Sequence, residues 1–505
     1  MVSSNQRIAK NTLLLYLRMF VTMIISLYTS RIVLQVLGVD DFGIYNVVGG
    51  LIVLFSFLNG AMASATQRFL NVELGKGDIT CVKRVFSMSM TCYIIIILII
   101  IFLAETVGLW FLEKQMNIPA DRIHAAFWVY QLSLMTFCVN ILKVPYNASI
   151  IAFEKMSFYA YISIIEAGLK LVIVWLLLIS SFDKLISYAF LILLISIIVF
   201  IVYKFYCNRK FEVCSYYFFW DVNLCKSLLG FSAWSLFGSL SNLLSSQGIN
   251  LLLNIFCGVA MNAAMGIANQ VNAVVFNFVS NFQTAFSPQI MKLYSSNEKS
   301  RFMKLIFQTS KFSYYLMFIL AVPVVLNMQY LLTLWLVDVP SYTVSFCQIT
   351  IITFLIDAIS GPLWMSIQAT GNIRNYQIIL GAISLLNLPI SYCLLKLGAD
   401  PVNVLVVRLV LNISIFVVRL FLLKFYIYFP IRLYVKKVIW VSLKVSALSI
   451  PIPIFIKILI EQNLLSLVFS SVCSFASVII CMYFIGLSVD ERHYVQNLIF
   501  KYIIK

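Results

Sequence analysis

Apolar runs of roughly 20 residues, the length a helix needs to cross about 30 Å of hydrocarbon, recur along the whole chain between short polar turns. They predict membrane-spanning helices near 11–37, 43–67, 85–112, 123–152, 157–180, 185–206, 227–255, 259–287, 305–332, 343–370, 376–396, 401–424, 438–460 and 463–486. About fourteen spans leave no stretch long enough for a sizeable soluble domain. The expected fold class is therefore an all-α polytopic membrane protein. The first segment, MVSSNQRIAKN, is basic, but the span after it is long and lacks a small-residue cleavage site, so the first helix is expected to stay.

The polar turns differ in charge between the two sides. The N-terminus, the even-numbered loops and the C-terminal tail carry about 23 Lys and Arg, among them Arg68, Lys83, Arg84, Arg209, Lys210, Lys292 and Lys436. The odd-numbered loops carry about five: Lys114, Arg122, Lys184, Lys396 and Lys457. Cationic loops stay cytoplasmic, so both termini are expected on that side, as an even number of spans requires. The net charge of +17 then reflects topology and anionic lipid, with no nucleic-acid partner implied. Charged residues make up 11% of the chain against a soluble norm of roughly 25%, which places the bilayer as its solvent. The eleven Cys lie within or beside spans, with no C-x-x-C, and read as small apolar fillers, not as a disulfide framework or zinc site.

Sliding the chain on itself reveals a duplication. At an offset of 220, Gly38 and Val39 align with Gly258 and Val259, and the turn Gly75-Lys76-Gly77-Asp78 aligns with Ser295-Ser296-Asn297-Glu298. At an offset of 217, Pro145 aligns with Pro362, Ala152 with Ala369, and the turn Glu154-Lys155 with Gly371-Asn372. Two six-span halves follow, a bundle at 1–210 and another at 227–425, joined by a cytoplasmic linker at 211–226 and followed by two additional helices and a tail at 426–505. Parallel repeats of this kind are common in secondary transporters.

Catalytic material is missing from the pattern. The two His, His124 and His493, are far apart, and neither a His-based metal site nor a nucleophile–His triad can be assembled, so no enzyme activity, metal or other cofactor is expected. What remains is a set of ionisable residues inside the spans, each costly enough to suggest a function. Arg18, Arg31, Lys143 and Lys170 lie in the first half and would line a cationic, substrate-binding cavity. Glu166 stands one helical turn before Lys170, and Asp357 lies five residues before Pro362. These two acids are the candidates for ion coupling, although Glu166 and Lys170 equally read as a simple i, i+4 pair. Lys311, Arg419 and Lys444 lie close enough to the cytoplasmic surface to snorkel. Spans 7 and 8 carry a polar stripe in which Ser239, Asn242, Asn250, Asn269 and Asn277 are candidates for facing a glycan or forming a gate. Glue between helices and the wall of a cavity are both open readings of it. Pro145 and Pro362 are expected to kink their helices.

A specific resemblance rests on Thr29 to Tyr45 (TSRIVLQVLGVDDFGIY), Ala65-Thr66-Gln67-Arg68-Phe69, Val144-Pro145-Tyr146-Asn147-Ala148, Gly361-Pro362-Leu363 and Ala369-Thr370-Gly371-Asn372. The chain resembles the polysaccharide-transporter branch of the multidrug/oligosaccharidyl-lipid/polysaccharide exporter superfamily, and within it looks like the Wzx-type O-antigen flippases. The resemblance implies two pseudo-symmetric six-helix bundles facing each other in a V, with spans 1, 2, 7 and 8 forming much of the cleft. It further implies export of an undecaprenyl-pyrophosphate-linked oligosaccharide across a bacterial inner membrane, with membrane lipids and other polysaccharide-assembly proteins as partners. Span 1 fits such a cargo independently, since it offers arginines and there is no Asp or Glu between Met1 and Val39. The alternatives are a multidrug efflux antiporter of the same superfamily and a polysaccharide polymerase or ligase. The latter should need a large outer loop, whereas the longest outer connection runs only from Glu113 to Arg122.

Overall fold

The computed structural model describes residues 4–53, 56–114, 120–179, 182–336, 339–459, 463–489, 491–493 and 496. Among the described residues all regular structure is helical, as it must be where hydrocarbon offers backbone groups no partner. In chain order the long helices are α1 (Ser4–Val53), α2 (Ser56–Lys76), α3 (Ile79–Gly108), α4 (Ile123–Ala152), α5 (Met156–Ile179), α6 (Lys184–Lys210) and α7 (Val222–Cys257). They continue as α8 (Val259–Ser295), α9 (Lys299–Leu326), α10 (Thr343–Thr370), α11 (Arg374–Lys396), α12 (Val402–Ile427), α13 (Ile431–Leu459) and α14 (Leu464–Gly486). Ten of these, α3 to α6 and α9 to α14, are long and apolar enough to cross a membrane. The first two sequence spans lie in α1 and α2, where Gly38 (φ 80) breaks the helix between them, and the seventh and eighth are α7 and α8. These four are the polar ones, rich in Ser, Asn, Gln and Gly, as their sequences show. Helices outrun the apolar runs because a helix continues into the headgroup layer where hydropathy has already fallen. Thus α3 starts at Ile79, not at 85.

Corresponding turns of the two repeats share their backbone. At the 220 offset Gly38 (φ 80) matches Gly258 (φ 83), and Gly77 (φ 80) matches Asn297 (φ 61); at the 217 offset Glu154 (φ 58) matches Gly371 (φ 81). All six are left-handed, a conformation that costs a side-chain-bearing residue of order 1 kcal/mol or more, so chance agreement at these positions is a poor explanation. The proline sites match as well. Ser149 Oγ donates to Pro145 O at 2.9 Å, and Ser366 Oγ to Pro362 O at 2.7 Å.

The chain packs as two compact units, residues 1–239 with 291–297, and residues 240–290 with 298–505, so that the divisions at 239/240 and 290/291 fall inside α7 and α8. In the first unit, two apolar clusters run through α3, α4 and α6, one around Tyr93 and Tyr130, the other around Phe86, Tyr146 and Tyr203. At one end Arg122 forks between Asp41 (2.7 Å) and Asp183 (2.5 Å), tying the turns before α4 and α6 to the bend in α1. At the other, Asn71 of α2 contacts Met291 of α8, with Nδ2 at 3.5 Å from Sδ. Gly75 packs against Ser295 and the Lys292 backbone, and Lys292 bonds Glu154 at 3.1 Å. At the 220 offset Asn71 is the counterpart of Met291, and Gly75 of Ser295.

In the second unit α10 packs against α9 and α12, and the two additional helices dock on α9 through small and hydroxylated residues. Tyr314 bonds Ser446 (2.7 Å), Ser470 Oγ donates to Asn327 Oδ1 (3.3 Å), and Ser477 Oγ donates to Ser449 O (2.8 Å). Past α14, Glu491 closes onto Lys311 at 2.6 Å, with both side chains under a tenth exposed. Lys311 therefore does not snorkel, contrary to the sequence expectation; its partner lies 180 residues away. Burial raises the Glu491 carboxyl, but hydrogen bonds from Lys311 and from the Ser488 N–H outweigh it and hold the group below the usual carboxylate range. A carboxyl with a lowered folded pKa stabilises above its unfolded value, and that contribution is lost as pH falls through the folded one. Thermal melts of detergent-solubilised protein should accordingly drop in midpoint as pH falls below about 4.3, and Glu491→Gln should flatten this slope. An unchanged slope would place the acid sensitivity elsewhere.

Candidate functional site

Polar side chains of the first unit gather where α1, α4, α5 and α6 meet. Lys143 of α4 and Lys170 of α5 share one carboxylate, that of Glu166, at 3.5 and 2.8 Å. The Glu166–Lys170 contact is the i, i+4 pair expected from sequence. The Lys143 contact arises from the α4–α5 hairpin, since the turn at Glu154 lies 11 residues after Lys143 and 12 before Glu166 and so brings both to one depth. That depth is about 17 Å from the turn, near the middle of a bilayer. The Arg18 guanidinium of α1 lies 4.6 Å from the Tyr159 ring centroid, and Lys143 Nζ 5.8 Å from that of Tyr203 on α6. Tyr203 is within electrostatic reach of Arg18, Tyr159 and Glu166, which joins these contacts into one cluster. Arg31 also lies on α1; its side chain falls outside the described set. Two ammonium groups on one carboxylate leave a positive excess even before Arg18 is counted, and a half-buried positive excess attracts oxyanions.

The polar stripe divides. Along one flank Ser384 Oγ of α11 donates to Asn242 Oδ1 (3.4 Å), Asn387 Nδ2 donates to Ser245 Oγ (3.5 Å), and Ser391 Oγ donates to Asn387 Oδ1 (3.2 Å). Gly248 lies directly against Leu388, so here the stripe is glue and this glycine permits close approach. Ser239 turns its hydroxyl onto Ser235 O (3.1 Å), and Asn250 Nδ2 donates to Gln247 Oε1 (3.2 Å). Asn269 is half-buried and Asn277 exposed on α8.

In the second unit the proline kink of α10 is the organising feature. Pro362 has no N–H for Ala358 O and loosens the turn around it. Three successive carbonyls are taken instead by side chains: Gln283 Nε2 of α8 donates to Ala358 O (2.9 Å), Tyr434 Oη to Ile359 O (3.2 Å) and Arg419 Nη1 to Ser360 O (3.1 Å). Arg419 thus caps a backbone carbonyl, where the sequence suggested a snorkelling cation, and its guanidinium lies 5.8 Å from the Tyr376 ring centroid. One turn before the kink, Asp357 Oδ1 accepts from Asn412 Nδ2 at 3.0 Å, with Arg408 and Arg419 in electrostatic reach. A Cβ added at Gly361 would meet the Gln283 amide at 2.2–2.6 Å. Gly361→Ala and Gln283→Ala should therefore each cost about 1–3 kcal/mol by opening the same bond, and the double variant should cost little more than either alone. Additive losses in melting experiments would show that Gly361 acts otherwise.

No protein-family model matches the chain. Solved structures do. The outward-facing conformation of a multidrug resistance MATE family transporter of the MOP superfamily superposes with a TM-score of 0.70 at 12% identity, over 85% of this chain and 95% of that one. The fold is that of the MATE transporters. A MOP superfamily transporter from Pyrococcus furiosus, in which reverse polarity of the binding pocket suggests a different function, gives a TM-score of 0.69 at 12% identity over 85% and 96%. Among curated sequences, the uncharacterized membrane protein EpsK of Bacillus subtilis (strain 168) is 20% identical over 276 residues, 54% of this chain and about half the length of that protein, also 54%. The helical architecture expected from the sequence is the one observed. At such identities the likeness carries the fold and leaves the cargo to be argued from the site.

Proposed function

We propose that the protein is a transporter that moves an anionic lipid-linked saccharide, such as an undecaprenyl-pyrophosphate-linked O-antigen or other surface-polysaccharide repeat unit, from the inner to the outer leaflet of a bacterial cytoplasmic membrane by alternating access. The observation carrying this reading is the midplane pair of Lys143 and Lys170 on the carboxylate of Glu166, with Arg18 over the Tyr159 ring two helical turns nearer the turn at Glu154. In this reading the diphosphate meets those cations together with Arg31, the two six-helix bundles at 1–210 and 227–425 supply the two sides of a V, and membrane lipids and other polysaccharide-assembly proteins are its neighbours. Two negative charges leaving a cell with a negative interior move downhill by about 2.3 kcal/mol per charge per 100 mV, roughly 4 to 5 kcal/mol in all. Potential alone then suffices to drive the cycle, and coupling to an ion at Glu166 or Asp357 is not required.

A second reading, a multidrug efflux antiporter, has in its favour the activity named for one fold neighbour. The two readings separate in proteoliposomes under an inside-negative potential. Fluorescent undecaprenyl-pyrophosphate oligosaccharide should become accessible to an external quencher at least about tenfold faster than in empty liposomes, while efflux of a lipophilic cationic dye should not rise. Dye efflux without glycolipid movement would sink the flippase reading and support the antiporter.

A further inference from the structure

The second unit carries a cation that neither the kink nor the cluster of the first unit uses. On α12 the strongly exposed residues are Val406, Val410, Ile413, Val417, Phe421 and Phe425, an apolar stripe fit to face acyl chains. At 100° per residue, Arg408, Asn412 and Arg419 fall within about 40° of one another and about 150–200° round from that stripe. They lie on the side of α12 turned away from that stripe, where Asn412 and Arg419 meet α10. Two of the three have protein partners: Asn412 bonds Asp357, and Arg419 bonds Ser360 O. Arg408 does not. The Arg408 side chain is half-buried, its buried Nη1 has no hydrogen-bond partner among the described residues, and Asp357, already held by Asn412, reaches it only electrostatically.

A buried guanidinium N–H left without an acceptor is destabilising, so a protein that retains it gains from an acceptor that comes and goes. We infer that Arg408, on the polar face of α12 beside Asp357 and Asn412, forms a second oxyanion site that takes a carboxylate or phosphate borne by the saccharide of the transported molecule. The inference rests on the proposed glycolipid cargo and adds to it. The lipid diphosphate belongs to Arg18, Lys143 and Lys170, whereas Arg408 selects cargo whose sugars are themselves acidic. Asp357 keeps the site from holding its ligand too tightly, because its carboxylate competes for the same cation.

The test uses the full chain in nanodiscs and calorimetric titration with four probes: methyl glucuronide, glucose 1-phosphate, methyl glucoside and inorganic pyrophosphate. At least one of the two acidic sugars should bind the wild type, which identifies the oxyanion as carboxylate or phosphate, and methyl glucoside should not. Arg408→Ala and the more conservative Arg408→Gln should weaken that acidic sugar at least about tenfold and leave pyrophosphate unchanged. Asp357→Asn should tighten it. Equal binding of acidic sugars to wild type and both Arg408 variants, or no binding of either to the wild type, would overturn the inference. Pyrophosphate binding that ignores Arg18 and Lys143 would instead remove the reading of the first unit, with the Arg408 result standing.

Discussion

Alanine at both Arg18 and Lys143 should lower the initial rate of glycolipid flipping in proteoliposomes at least about a hundredfold. Each replaces a half-buried cation whose charge-assisted hydrogen bond to a phosphate oxygen is worth about 1.5–3 kcal/mol, and two such losses total about 3–6 kcal/mol. The fold should survive. Glu166 keeps Lys170 at 2.8 Å when Lys143 is gone, so no carboxylate is stranded, and the melting temperature should change little. Glu166→Gln is the informative opposite: both lysines lose their shared anion, pyrophosphate should bind more tightly, and turnover should fall through slower release. Full activity in the double alanine variant would remove the cluster from the mechanism.

The second large effect concerns packing. A Cβ on Gly75 would stand 1.8 Å from Ser295 Oγ, 2.7 Å from Lys292 O and 2.9 Å from Lys292 Cα. The hydroxyl can rotate away; the backbone of α8 cannot. Gly75→Ala should therefore destabilise by about 1–3 kcal/mol, and Gly75→Val by more, seen as a lower melting temperature. Gly230→Ala makes the control, since nothing lies within 4 Å of that position and a helical Gly-to-Ala change tends to stabilise. Ser295→Gly should recover only part of the loss, because the Lys292 backbone remains in the way.

Helices were legible in the sequence because hydrocarbon imposes one rule on every span, and the 220 and 217 offsets anticipated the shared left-handed turns. Contacts inside a single helix were legible too, as with Glu166 and Lys170. Partners brought together by hairpins and docking are not legible in this way. Lys143 finds Glu166 by depth-matching about the turn at Glu154, a signal that counting residues on either side of that turn would have exposed. Lys311 finds Glu491 only through the docking of α14 on α9, and no local pattern announces it. The partner of Arg419 is hidden for another reason. It is a carbonyl that Pro362 disturbs, and a missing N–H at a proline advertises an acceptor without saying which side chain will fill it.

The pairs Asn71 with Met291 and Gly75 with Ser295 show what one chain carrying both repeats allows. In a homodimer of identical six-helix chains, positions on the two-fold axis must face copies of themselves, so every substitution there is made twice at once and a small residue can never be set against a larger one. Here each pair joins unlike residues. A single chain that carries both repeats is free of that restriction, and at the junction of α2 with α8 a glycine can be set against a serine and an amide against a thioether.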